Sequence, residues 1–78
     1  MKITYDERYN IAYLQIQETS AAARTVSVGE DINIDILEDG SVAGIEFLNA
    51  QKQLLLASGE PLVLINSTLN QVKKISLM

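Results

Sequence analysis

"DINIDILEDGSVAGIEFL", residues 31–48, carries the alternation that decides the fold. Asp31, Asn33 and Asp35 interleave with Ile32, Ile34 and Ile36. A period of two is the mark of a strand with one apolar face and one wet face. Asp39-Gly40 is a favoured central pair for a two-residue type I′ turn, where both residues need positive φ. With Glu38 opposite Ser41, Ile36 faces Ala43, Ile34 faces Ile45 and Ile32 faces Phe47. On the reverse side Asp35 meets Gly44 and Asn33 meets Glu46. Apolar residues meet apolar ones throughout, and a slip of one residue would invert both strands.

Upstream, "RTVSV" (24–28) puts Val26 and Val28 on one side. A two-residue Gly29-Glu30 turn would set Val28 against Asp31. A three-residue loop, 29–31, pairs Val28 with Ile32 and Val26 with Ile34, with Gly29 or a neighbour taking positive φ. Asp31 then leaves the strand. "KITY" (2–5) and "IAYLQIQ" (11–17) form another hairpin around "DERYN". Ala12, Leu14 and Ile16 share a face with Ile3 and Tyr5, and Ile11 and Tyr13 lie opposite. "ETSAAAR" (18–24) reads as a loop whose alanines could form one helical turn.

After Leu48 the period changes. Asn49 suits an N-cap, "AQKQLLLAS" is rich in helix formers, Gly59 suits a stop and Pro61 follows. This predicts a helix over about 50–58. "PLVLIN" reads as a buried strand or apolar strap, and "STLNQVKKISLM" fits either helix or strand. No internal repeat, low-complexity run or linker is read. The expectation is a single small domain over 1–78, with the sheet in 2–48 and an apolar segment, 61–78, completing the core or an interface. Its class is α+β: a small antiparallel β-meander of about five strands with one short helix packed on one face.

Composition removes several chemistries. The 78 residues include no Cys and no His, which excludes disulfides, zinc sites built on those ligands, and thiolate or imidazole catalysis. No stretch approaches the roughly 20 apolar residues of a membrane span, and "MKITYDERYN" has no signal-peptide core. The expected location is cytoplasmic, with no membrane partner and no cofactor. Net charge is −4, and between Arg24 and Lys52 stand six acidic residues and no basic one. Phosphate neutralisation supplies most non-specific nucleic-acid affinity, so direct binding to DNA or RNA is disfavoured.

Size argues for assembly. A chain this short hides only about 60% of its unfolded surface. Five strands make a sheet roughly 20–24 Å wide, and one nine-residue helix, about 14 Å long, covers about half of one face. Further apolar residues in "LLLA" and "PLVLI" need cover too. A homodimer is expected, C2 pairing being the commonest closed assembly.

The acidic stripe admits three readings. D-x-N-x-D opens a calcium-binding EF-hand loop, but that loop needs Gly sixth and Glu twelfth, where this chain has Ile36 and Val42. A sheet-surface metal site could use Asn33, Asp35 and Glu46, since cross-strand neighbours lie about 5 Å apart. A partner-binding surface could use Glu30, Asp31, Asp35, Glu38 and Asp39. The simplest reading is a solvated face opposite a core face. The serines have no His to activate them, Tyr5, Tyr9 and Tyr13 suit core and rim positions, and no enzyme is expected.

"KITYD", "AYLQI" and "NIDILEDGSVAGIEFLNAQKQL" together resemble the short, mainly bacterial proteins catalogued as domain of unknown function 2283. The matching positions are Tyr5, Asp6, Asp39, Gly40, Gly44, Ile45 and Glu46, within residues 1–54. "ERYNIAYLQI" departs from the Asp- and Ala-rich approach of that pattern. The resemblance implies a compact sheet-plus-helix module of bacterial cytosolic origin, and it assigns no activity and no site residue. The functional expectation is a non-enzymatic protein-interaction module that homodimerises. It would use its acidic 30–46 segment on a basic partner protein, in the manner of an antitoxin. The alternative is a metal-dependent binder or enzyme on the acidic sheet face.

Overall fold

The computed structural model describes residues 1–19 and 24–76. Five antiparallel strands form the main sheet: β1 (Lys2–Asp6), β2 (Ile11–Gln15), β3 (Arg24–Val28), β4 (Ile32–Ile36) and β5 (Val42–Leu48), in the order β1-β2-β5-β4-β3. The consecutive strands β3, β4 and β5 make a meander, and the β1–β2 hairpin joins it by pairing β2 with β5. Pairing places Ile3, Tyr5, Ala12 and Leu14 on the same face as the isoleucines of β4, with Val26 and Val28 at the far edge. The three-residue loop 29–31 is present: Val28 pairs with Ile32, and Gly29 has φ +69°. The alanines of 21–23 lie outside the described residues.

The turn at Asp39-Gly40 departs from expectation. Glu38 does not pair with Ser41; instead Leu37 N–H donates to Ser41 O, and Gly40 N–H closes a turn onto Leu37 O. Only Gly40 takes positive φ, +87°, as in a three-residue loop ending in a left-handed residue. The Asp39 carboxylate accepts from both Ser41 N–H and Ser41 Oγ, a local bond that holds Asp39 in the turn. The odd loop sets Ile36 against Val42 and not Ala43, with a bulge restoring Asp35 to Gly44. The bulge has a rationale: by plain alternation Val42 would share the wet face with Gly44 and Glu46, and the extra residue turns it toward Ile36.

The helix expected over 50–58 is broken in two. Helix α1 spans Ala50–Gln53, a 3₁₀ turn spans Leu56–Ser58, and Leu55 between them has φ +51°. Asn49 precedes α1 in a left-handed conformation and makes no side-chain cap. The cap comes from across the sheet: Asn10 O accepts from Ala50 N–H at 3.0 Å and Asn10 Oδ1 from Gln51 N–H at 2.9 Å. Those are two of the donors that a helix start leaves orphaned. Gly59, φ +74°, ends the 3₁₀ turn as a stop residue should. Ala12 and Ala50 are fully buried, as are Ala43 and Leu56 to within a few per cent.

The segment beyond Pro61 does not return over the sheet. It forms a separate hairpin, β6 (Leu62–Asn66) with β7 (Gln71–Ile75), and every described residue in it is exposed. This hairpin repeats the first one at an offset of sixty residues. Asp6 pairs with Ile11 as Asn66 pairs with Gln71. Asn10 and Asn70 close the two loops at φ +56° and +51°. Asp6 Oδ1 accepts from Tyr9 N–H at 3.3 Å, and Asn66 Oδ1 from Leu69 N–H at 3.2 Å. The side chains of the two hairpins differ, so the repeat is not visible in the sequence; what recurs is the register and the two loop-closing residues.

Candidate functional site

The wet face of the main sheet holds the most organised polar structure among the described residues. Two rows of hydrogen bonds run across the strands. In one, Ser27 Oγ donates to Asn33 Oδ1 at 2.8 Å and Asn33 Nδ2 donates to Glu46 Oε1 at 2.8 Å. In the other, Thr25 Oγ1 and Tyr13 Oη donate to the two oxygens of Asp35, each at 2.7 Å. Tyr13 stands on β2 and Asp35 on β4, with β5 between them. The phenol reaches its partner by passing over Gly44. A Cβ there would overlap Tyr13 Oη and the adjoining ring carbons.

Asn33, Asp35 and Glu46 are thus brought onto one surface, as the alternation requires. Their oxygens are turned to protein donors, however, with both Asp35 oxygens engaged. No group of three or more acidic ligands with metal-holding geometry occurs among the described residues. The arrangement ties four strands in register and holds carboxylates as acceptors. A shallow recess at the β1–β2 end, lined by Met1, Lys2, Gln15, Ile16 and Glu18, lies apart from it.

The five acidic partner candidates do not form one patch. Glu30 and Asp31 are exposed at one end of β4, Glu38 and Asp39 are exposed at the other, and Asp35 is half-buried in the hydrogen-bonded row. About 20 Å of strand and turn separates the two ends. What sequence reasoning missed is Tyr13. Its position opposite Glu46 follows only once β2 is known to pair with β5. The signal available was Gly44 facing Asp35, a gap in an otherwise filled row.

The hydrogen bond to Asp35, then burial, then the Asp35 and Glu46 charges push the Tyr13 phenol above its ordinary value of 10.0. The unfolded phenol ionises near pH 10. Stability from this contact is therefore complete below pH 10 and disappears as pH rises through the higher folded value. Thermal melts between pH 8 and 11.5 should show wild type losing its advantage over Tyr13→Phe above pH 10. A gap unchanged across that range would remove the ionisable contact from the account.

The family described as protein of unknown function (DUF2283) matches residues 2–51. The chain belongs to that family. The match spans the five strands of the main sheet and the start of α1, including Tyr13, Asp35, Gly44 and Glu46, whereas β6 and β7 lie outside it. Among curated proteins and among solved structures, nothing matches the chain.

Proposed function

We propose that this DUF2283 chain is a non-enzymatic protein-interaction module that assembles as a homodimer. The observation that carries the reading is surface. The subunit exposes 6048 Å² to solvent, whereas size scaling gives about 4,700 Å² for a folded monomer of its 8.6 kDa. The excess, about 1,300 Å², exceeds the roughly 800 Å² that each partner buries in a standard interface. Its Cα radius of gyration, 14.0 Å, also exceeds the roughly 11.5 Å of a compact chain this long. The surplus is apolar: Ile65, Leu64, Val72 and Leu69 are each more than half exposed, and monomers rarely leave such area in water.

A basic partner would meet two acidic ends rather than one patch, so charge would set its approach and orientation more than its affinity. A cytoplasmic location goes with this reading, since a cysteine-free chain needs no oxidising compartment. Light scattering or sedimentation at micromolar concentration should return twice the chain mass. A single-chain mass throughout that range would defeat the proposal.

A further inference from the structure

The β6–β7 hairpin is the more apolar of the two repeats, yet it is the one left in water. Lys2 and Thr4 of the first hairpin become Leu62 and Leu64 at the sixty-residue offset. Two strands alone are marginal in water, so a hairpin of this composition needs a surface to lie against. The main sheet has one that is incompletely covered. Its apolar face is closed at β2, where Ala12 has no exposure, and open at the edges: Ile3 of β1 is 38% exposed, Val26 and Val28 of β3 37% and 50%, so β3 carries the larger opening.

Dimensions and charge match. A two-stranded ribbon is about 10 Å wide, the width of the β3–β4 half of the sheet. The only charged residues within 62–75 are Lys73 and Lys74. Around the β3–β4 half of the sheet stand Glu30 and Asp31 at one end and Glu38 and Asp39 at the other, with Arg24 of β3 at the Ile36 end and Asp35 and Glu46 on the wet face. Val63, Ile65 and Val72 share one side of the ribbon with Lys74, as the register dictates. Laying that side on β3–β4 with Lys74 toward Glu30 and Asp31, at the end away from Arg24, pairs opposite charges.

We infer that the β6–β7 hairpin of one copy docks, through Val63, Ile65 and Val72, on the open β3–β4 half of the apolar face of a second copy. The inference rests on the homodimer proposed above and names its contact surface. Reciprocal docking in a C2 pair covers the Val63, Ile65 and Val72 side of both hairpins and both open faces, and the interface is self-complementary.

The test uses the full chain. Ile65→Asp and Val28→Asp should each weaken self-association by about thirtyfold or more, as loss of a central apolar contact does, with the far-UV circular dichroism retained. Because the chain has no Cys, single-cysteine variants report proximity cleanly. Ile65→Cys mixed with Val28→Cys should give a disulfide-linked heterodimer under mild oxidation, faster than either variant links to itself. A wild-type dimer that survives Ile65→Asp, or Val28→Cys linking to itself faster than to Ile65→Cys, overturns the hairpin contact and leaves the dimer standing. A monomeric wild type overturns both.

Discussion

Gly44→Ala lowers the melting temperature by about 5–12 °C, a loss of about 1–2 kcal/mol. The methyl group would occupy the space of the Tyr13 phenol, so the ring must swing off β5 and release Asp35 Oδ2. Hydrogen bonds to charged groups contribute about 1.5–3 kcal/mol. Water reaching this half-buried face returns part of that, and the gain from replacing Gly by Ala in a strand, about 0.5–1 kcal/mol, offsets more. The decisive measurement is a double-mutant cycle. In a Tyr13→Ala background the obstacle is gone, and Gly44→Ala should become neutral or stabilising. Equal destabilisation in both backgrounds would mean that Gly44 is needed for some reason other than Tyr13.

A larger effect, about 2–3 kcal/mol or 10–20 °C, is expected for Asn10→Ala. Asn10 holds a left-handed conformation that costs other L-residues about 1–2 kcal/mol, and its amide caps Gln51 N–H and reaches Asn49. Asn10→Gly separates the two contributions, restoring the backbone but not the cap, and should recover about 1 kcal/mol. Asn70→Ala is the internal comparison. It carries the same backbone cost in the second loop with no helix start to cap, so its shift should be about half as large. Chemical denaturation of the four proteins decides it; equal losses at Asn10 and Asn70 would show that the cap contributes nothing.

The alternation in 31–48 made the central strands, their facing residues and the odd loop at 29–31 legible from the chain alone. Parity at a strand boundary is a local constraint, and Val28 against Ile32 left one answer. The turn at 38–40 was misread because a bulge at Ala43 absorbs the parity change, and dipeptide preference does not register bulges. The helix was overextended because propensity along "AQKQLLLAS" ignores Leu55, whose left-handed backbone ends α1 after one turn. The hydrogen-bonded rows were half visible. Asn33 with Glu46 and Asp35 with Gly44 came from the hairpin register, whereas Tyr13 belongs to a strand distant in the chain. Composition marks the β6–β7 segment as apolar, but it carries no information about where that segment packs, and the hairpin stands exposed.

The position of β5 sets the order in which this sheet can assemble. It is the fifth strand along the chain and the third across the sheet, so each flank pairs neighbours in sequence, whereas the seam from Gln15–Gly44 to Ile11–Leu48 closes the longest loop. Local ribbons form in microseconds, and the long closure between them is the slow, entropy-limited event. Tyr13 and Asn10 both bridge that seam. The residues that define the wet face and the helix start are therefore also the clasps on the sheet's longest-range seam.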